Sequence, residues 1–169
     1  MPIKLRDYKT YQQDQYTAIL VHQQYRTGLK NPLDTDTSPC HVTILPIKRG
    51  AAGIHILNVY SPPPPPKGRK SNLAQLIRGF LGGAKREPAI IGGDFNNPHP
   101  SWRYPSATPK GRRLEEAINQ EGLTLLTDTP FPTRLRNTVC RYTCADLTMA
   151  INVTNPNWRK LNQHLSSDH

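Results

Sequence analysis

A chain of 169 residues has the length of one domain and can bury a single substantial core. It is 36% hydrophobic and carries 17 prolines, and no apolar run approaches the roughly eighteen residues that a membrane-spanning helix requires. Its 22 Lys and Arg residues outnumber its 12 Asp and Glu residues, and the net charge of +10 favours a polyanionic partner such as nucleic acid. Residues 1–8 lack the apolar segment of a signal peptide, so we expect an intracellular protein, nuclear or cytoplasmic and not secreted.

The three cysteines, Cys40, Cys140 and Cys144, cannot form an even disulfide framework. Cys140 and Cys144 could share a metal ion, but two thiols without neighbouring ligands are a weak zinc signal. We therefore expect free thiols, as in a reducing compartment.

The first part of the chain predicts strands. Residues 1–16 show no clear period, residues 17–22 predict a strand, and residues 28–39 predict a loop rich in Asn, Asp, Thr and Pro. Residues 41–47 and 54–60 predict a pair of strands joined by a turn.

A tract of five prolines, residues 62–66, ends the second of these strands because proline offers no backbone donor to a sheet. We favour a stiff surface loop for this tract, and the alternative is a recognition segment for a proline-binding module. A basic patch follows at once, with Lys67, Arg69 and Lys70.

The second part of the chain alternates helices with strands. The first helix begins at Ser71 as N-cap, buries the apolar face that runs from Leu73 to Leu81, and ends at Gly82 and Gly83. The remaining predicted elements are strands at 89–91, 123–126 and 146–151, an irregular loop at 97–109, and a helix at 110–120 that Gly122 closes. This order predicts a layered α/β fold with a mixed sheet, in a single domain over residues 1–169.

The most informative stretch is PAIIGGDFNN, residues 88–97. A short apolar strand leads into a glycine turn that presents Asp94 and Asn96 at the carboxyl end of the strand, where ligands commonly bind in sheet-based enzymes. Asp94 can accept a proton or hold a water, and Asn96 can donate to a phosphoryl oxygen. Because Gly, Asp and Asn are also the commonest turn residues, the local pattern supports an ordinary turn equally well.

Three further polar groups stand at strand or chain ends, and each has an ordinary explanation by itself. Tyr60 ends the 54–60 strand and could simply cap it, while Asp146 begins the 146–151 strand and could be an edge acid. Asp168 and His169 could be a frayed tail.

Together, four segments form a specific pattern: LNVYSPP at 57–63, GGDFN at 92–96, DLT at 146–148 and SDH at 167–169. In this order the chain resembles the endonuclease/exonuclease/phosphatase superfamily. Within it, the chain is similar to the apurinic-type endonuclease domain of non-LTR (LINE-type) retrotransposons. The segments KGRRL and PTR, which begin at Lys110 and Pro132, also fit the retrotransposon version. The resemblance spans essentially the whole chain and implies a four-layer α/β sandwich.

The resemblance also implies a mechanism, phosphodiester hydrolysis that nicks DNA at a target site. Asp94 would orient or deprotonate the attacking water, with Asn96 beside it. His169 would contact the scissile phosphate, Asp146 would hold the His169 imidazole in the useful tautomer, and Tyr60 would donate a hydrogen bond to a phosphate oxygen.

The implied cofactor is Mg²⁺ (or Mn²⁺), with Asp168 as a ligand, since hard cations prefer carboxylate oxygens and water. The implied partners are DNA and, in an intact gene, a downstream reverse transcriptase domain in the same polyprotein. No membrane is expected. Candidate contacts to the DNA backbone are basic residues along the chain: Lys67, Arg69, Arg103, Lys110, Arg112 and Arg134.

The chain departs from the family pattern at both ends. The family begins with a strand bearing an Asn and then a strand bearing a metal-binding Glu, whereas the first Glu here is Glu87. The family also continues into a final strand after its Asp-His pair. We therefore expect a partial domain that lacks the first strands and the last strand, binds Mg²⁺ weakly and is weak or inactive as a fragment.

Two alternative functions stay open. One is a nucleic-acid-binding remnant without catalysis, whose binding would fall steeply with salt while no nicking occurs. The other is a small-molecule phosphoesterase of the same superfamily, acting for example on inositol phosphates. The basic excess argues against the second alternative.

Overall fold

The computed structural model describes residues 6–28, 40–63, 72–130, 132–133 and 143–159. Several predicted features lie outside these residues: most of the 28–39 loop and of the proline tract, the N-cap Ser71, the thiol of Cys140, and the site residues Lys67, Arg69, Arg134, Asp168 and His169. Within the described residues, no helix is both long and apolar enough to cross a membrane.

A small antiparallel hairpin opens the described chain. Strand β1 (Tyr8–Gln12) pairs with strand β2 (Ala18–His22), from Tyr8 opposite His22 to Gln12 opposite Ala18. Strand β2 confirms the prediction for residues 17–22. Strand β1 was not predicted, because its YKTYQ sequence is mostly polar and gains its strand conformation from pairing with β2.

A six-stranded mixed sheet forms the main body, in the order β3-β4-β5-β6-β8-β7. Its members are β3 (Arg26–Thr27), β4 (His41–Arg49), β5 (Ala52–Tyr60), β6 (Ala89–Asp94), β7 (Thr124–Leu125) and β8 (Asp146–Ile151). The β5–β6 pair is parallel and the other neighbours are antiparallel. Strand β6 therefore lies inside the sheet, as its apolar sequence predicts.

Helix α1 (Leu73–Ala84) makes the crossover from β5 to β6, and its apolar face is buried as predicted. Its boundaries differ from the prediction. Asn72 rather than Ser71 is the N-cap, and Gly82 and Gly83 lie inside the helix. The helix ends instead at Ala84, and the C-cap Lys85 takes the left-handed conformation at φ 50°. The amphipathic face thus carries the helix past two residues that usually interrupt one.

Helix α2 (Pro109–Gln120) follows the irregular 97–109 loop, which contains a short 3₁₀ turn (Pro100–Trp102). The Thr108 hydroxyl accepts a hydrogen bond from Gly111 N at 3.0 Å, an N-cap that the proline after it reinforces. Gly122 follows the helix at φ +66°. The predicted strand at 123–126 shortens to the two residues of β7.

The core lies between the six-stranded sheet and the two helices. Its largest fully buried side chains include Trp102, Phe95, Leu57, Ile77, Ile91, Leu114 and Leu147. Cys40 and Cys144 are buried free thiols, which agrees with the prediction for these two residues.

The turn between β1 and β2 attaches to the outer edge of β4 through side chains. Gln13 Oε1 accepts a hydrogen bond from Ile44 N at 2.8 Å. The hydroxyls of Thr17 and Thr43 lie 2.8 Å apart, and Thr43 Oγ1 also donates to Thr17 O at 3.0 Å. These contacts fix the turn, residues 13–17, against the sheet.

Candidate functional site

The strand register places four polar side chains in one row across the sheet. Tyr60 on β5 lies opposite Asp94 on β6, and Asp94 lies opposite Asp146 on β8. On the other side, His41 at the start of β4 lies opposite Tyr60. With neighbouring strands about 4.8 Å apart, the row spans about 14 Å. We call these four residues the site row.

The structure explains why glycine precedes Asp94 at position 93. Gly93 has φ +140°, and a Cβ at this position would lie 1.9 Å from the carbonyl oxygen of Val59 on β5. A side chain is excluded there both by the backbone conformation and by the neighbouring strand. The glycine therefore allows the end of β6 to approach β5 and sets Asp94 beside Tyr60.

The turn after β6 keeps Asp94 and Asn96 together. Asn96 N donates to Asp94 Oδ1 at 3.2 Å, and Asn96 takes the left-handed conformation at φ 44°. Phe95 between them is fully buried, and its N–H donates to Ala145 O at 3.0 Å. The stretch is thus an Asx-type turn, as one interpretation predicts, and it also holds Asp94 in the site row.

Asp146 is held from its backbone. Asp146 N donates to Thr133 Oγ1 at 3.0 Å, which ties Thr133 of the PTR segment to the start of β8. Asp94 and Asp146 are cross-strand neighbours, so the site row brings two carboxyl groups side by side.

Lys110 joins the site from helix α2. Its Nζ donates to Ser61 Oγ at 2.7 Å and to Pro62 O at 3.2 Å, directly after Tyr60. Burial lowers the pKa of Lys110 below its ordinary value, while the nearby Cys40 thiol and Asp94 carboxyl act in the opposite direction. Lys110, a predicted contact to the DNA backbone, therefore lies close enough to Asp94 for the two charges to interact.

Gly111 explains how helix α2 delivers this lysine. A Cβ on Gly111 would lie 1.9 Å from Pro98 O, in the segment that follows Asn96. The absent side chain lets the first turn of the helix pack onto that segment. Gly111 therefore helps to place the ammonium group of the preceding Lys110 beside Ser61.

The other described basic candidates, Arg103 and Arg112, donate to backbone carbonyl groups. Arg103 donates through Nη1 to the carbonyl oxygens of Thr129 (3.4 Å) and Pro130. Arg112 donates through Nη1 to Ala107 O at 3.1 Å. Both guanidinium groups are exposed, and their role in DNA binding stays a prediction.

One residue of the site row, His41, and two residues beside it, Asp14 and Tyr16, were not predicted. His41 Nδ1 lies 3.1 Å from Asp14 Oδ2, and the Tyr16 ring stacks near both His41 and Tyr60. A signal for His41 existed, since the predicted 41–47 and 54–60 strands would pair their outer ends as an antiparallel hairpin. No sequence pattern indicated Asp14 or Tyr16, whose position depends on the turn that attaches to β4.

The described residues do not complete a metal site. None of their His, Cys, Asp and Glu side chains forms a group of three that could hold an ion. Carboxylate oxygens suit Mg²⁺, which is commonly bound by one or two carboxylates with substrate phosphates. Asp94 and Asp146 match that chemistry but fall short of a protein-only site, and Asp168 lies outside the described residues.

Comparison with known families and structures supports one assignment. The family model described as endonuclease-reverse transcriptase matches residues 54–169. None of the curated proteins matches the sequence. Among solved structures, the endonuclease domain of TRAS1, a telomere-specific non-LTR retrotransposon, has a TM-score of 0.69 at 19% identity, covering 88% of this chain and 67% of that one.

More distant structures share the fold. Truncated Caenorhabditis elegans TDP2 has a TM-score of 0.51 at 16% identity, covering 85% of this chain and 62% of that one. D. rerio TDP2 complexed with a single-strand DNA product has a TM-score of 0.51 at 9% identity, covering 86% and 62%. The chain thus spans less than two thirds of these TDP2 chains, and at such identities the likeness is one of fold alone.

These findings confirm the endonuclease/exonuclease/phosphatase superfamily and its α/β sandwich. The family model matches well over half of the 169 residues and includes Tyr60, Asp94 and Asp146. The chain belongs to the endonuclease-reverse transcriptase family.

Proposed function

We propose that this chain is a Mg²⁺-dependent endonuclease domain of a non-LTR retrotransposon, which nicks DNA by hydrolysing a phosphodiester bond. One observation carries the proposal: the strand register aligns Tyr60, Asp94 and Asp146 at one edge of the sheet. Two carboxyl groups and a phenol in one row supply a base and a hydrogen-bond donor for a phosphate.

In the proposed reaction, Asp94 orients the attacking water and accepts its proton. The water oxygen forms a bond to phosphorus, the bond from phosphorus to the leaving oxygen breaks, and the leaving oxygen takes up a proton. The Tyr60 phenol donates to a phosphate oxygen. The Lys110 ammonium, fixed on Ser61 Oγ at 2.7 Å, contributes positive charge beside Asp94.

The roles of the last two residues of the chain are part of the proposal. His169 would contact the phosphate with Asp146 as its partner, and Asp168 would hold Mg²⁺. When bound, Mg²⁺ would offset negative charge at the phosphate. The family description supports both a DNA substrate and an associated reverse transcriptase domain. The net charge of +10 and the DNA product bound to D. rerio TDP2 also support the DNA substrate.

The test is nicking of supercoiled plasmid in the presence of Mg²⁺, with Asp94→Asn as the main variant. Asparagine keeps an oxygen that can accept from Asn96 N, so the turn is preserved while the base is lost. We expect a reduction of at least about a hundredfold, and no nicking in excess EDTA. Glu87→Gln, at the far end of the sheet, is the matched carboxylate control and should nick as wild type.

A non-catalytic DNA-binding domain is the second candidate, favoured by the lack of a three-ligand metal group among the described residues. It predicts no nicking at any Mg²⁺ concentration, together with DNA binding whose logarithm falls linearly with the logarithm of salt concentration. Nicking that Asp94→Asn abolishes would eliminate this candidate. Equal nicking by both proteins would contradict the proposed role of Asp94.

A further inference from the structure

The turn at residues 13–17 presents an aromatic surface next to the site row. The Tyr16 and His41 ring centroids lie 3.9 Å apart, with an interplanar angle of 37°. Tyr60 stacks near both, with centroids 5.8 Å from Tyr16 and 6.0 Å from His41, at angles of 19° and 20°. We call these three rings the aromatic platform.

The outermost ring of the platform faces solvent. Tyr16 is 54% exposed, although a phenol ring gains free energy when it is covered. Tyr8, on β1, is similarly exposed at 44%, but its ring meets His22 edge-on at 89° and lies away from the site row. Of these two exposed tyrosines, Tyr16 is the one whose ring stacks near a proposed catalytic residue, Tyr60.

The platform is rigidly held. Asp14 Oδ1 accepts hydrogen bonds from Tyr16 N at 2.8 Å and Thr17 N at 3.0 Å, while Asp14 Oδ2 contacts His41 Nδ1 at 3.1 Å. One carboxyl group thus fixes both the backbone beneath Tyr16 and the imidazole beside it. A preorganised exposed ring loses little conformational entropy when a ligand covers it.

The position of the platform defines the kind of ligand. His41 and Asp94 are separated by one strand, so their Cα atoms lie about 10 Å apart. Nucleotides rise about 3.4 Å each along a stacked strand, so the platform lies within about three nucleotides of the proposed scissile phosphate. A flat base has the shape and π-face to stack on such rings, whatever its sequence.

We propose that Tyr16, with His41 and Tyr60 behind it, is a stacking subsite for an unpaired base of the DNA strand beside the cleaved phosphodiester. The inference rests on the proposed function, because it takes the scissile phosphate to lie at the site row. The subsite selects DNA whose bases are locally unstacked, since a base within a duplex has both faces covered.

The experiment measures binding without cleavage. A fluorescein-labelled 12-mer of deoxythymidine and the same strand with abasic central positions are titrated with protein in EDTA at one salt concentration, by fluorescence anisotropy. Wild type is expected to bind the intact strand about tenfold more tightly than the abasic strand, near the lower end for one stacked base. Tyr16→Ala should bind both strands alike, at the level of the abasic complex.

Two variants serve as controls. Tyr16→Phe keeps the ring and should retain the preference for the intact strand. Tyr8→Ala removes a comparably exposed tyrosine elsewhere on the hairpin and should bind as wild type. Thermal unfolding followed by circular dichroism establishes that each variant is folded.

The possible outcomes separate the two proposals. A Tyr16→Ala protein that keeps the preference for the intact strand, or that loses affinity equally for both strands, would overturn the stacking subsite. Wild type that does not distinguish the two strands would overturn it as well. Base-dependent binding by a protein that fails to nick plasmid would support the subsite and contradict the proposed endonuclease.

Discussion

Two histidine–carboxylate pairs lie at opposite ends of the β4–β5 hairpin. At the site end, His41 Nδ1 lies 3.1 Å from Asp14 Oδ2, and the two side chains are 32% and 30% exposed. At the far end, His55 Nε2 contacts Glu87 Oε2, with the imidazole only 7% exposed. The same two residue types thus form one accessible pair and one whose imidazole is buried.

The neighbours of each pair differ more than the pairs themselves. Along the strand register, His55 lies opposite Ala89, which lies opposite Ile151. His41 lies in the row that contains Tyr60, Asp94 and Asp146. The His55–Glu87 pair therefore has apolar neighbours in the register, whereas the His41–Asp14 pair lies next to side chains suited to phosphate chemistry. The two histidines therefore differ mainly in the side chains that lie opposite them in the strand register.

The largest effect is expected at the backbone of the site end. Gly93→Ala would place a Cβ 1.9 Å from Val59 O at φ +140°, and we expect a loss of about 3–5 kcal/mol in the free energy of unfolding. Gly92→Ala is the matched control, since its Cβ would lie 3.7 Å from Leu147 O. Urea denaturation measures both. Equal stabilities would show that position 93 tolerates a side chain as well as position 92 does.

The next effect concerns chemistry alone. Tyr60→Phe removes the phenolic donor and keeps the ring that stacks beside Tyr16 and His41. We expect plasmid nicking to fall about a hundredfold, the usual effect of losing one transition-state donor, with the melting temperature unchanged. Tyr8→Phe is the control. Nicking within twofold of wild type would remove Tyr60 from the proposed reaction.

Matched amide substitutions then compare the two pairs directly. Glu87→Gln weakens the partner of the buried His55 imidazole, and we expect a loss of about 1 kcal/mol in stability with nicking unchanged. Asp14→Asn makes the same change beside the more exposed His41. It should alter stability less and reduce the preference for DNA with intact bases. A reduced preference for intact bases in Glu87→Gln, with none in Asp14→Asn, would contradict this assignment of the two pairs.

The smallest effect is a pH dependence at Lys110. Because burial depresses its pKa in the folded state, the unfolded chain binds more protons between that pKa and the unfolded value near 10.5. Wild-type stability relative to Lys110→Met should therefore rise as pH increases through this window. Urea denaturation of both proteins from pH 7 to 10 measures the difference. A difference that does not change, or that falls, would contradict the burial of the ammonium group.

Local patterns predicted much of the sheet. The β8 boundaries agree with the prediction at both ends, and the apolar 89–91 run lies inside β6. Both segments are short and rich in apolar residues, a local signal for a buried strand that the sequence carries directly. The end of α1 was wrong because packing of one helix face outweighed the low helix propensity of Gly82 and Gly83.

Long-range pairing limited the prediction of the site. Asp94 and Tyr60 stood out because their motifs are local, but their adjacency follows from the β5–β6 register. Lys110 looked like a surface cation, and its place on Ser61 depends on how closely Gly111 approaches Pro98 O. Such a close approach leaves no periodic signal in the sequence. Contacts between segments fifty residues apart thus decided what the local patterns left open.

The side-chain contact between Gln13 and Ile44 has a consequence for association. Strand β3 covers only Lys48 and Ile47 along the nine-residue β4, so much of that strand has no strand neighbour on its outer side among the described residues. Free amides on a sheet border invite a strand from another molecule. Gln13 Oε1 accepts a hydrogen bond from Ile44 N at 2.8 Å, so this amide cannot pair with a strand of another molecule. The turn that carries Tyr16 thus also satisfies a backbone donor on the outer side of β4.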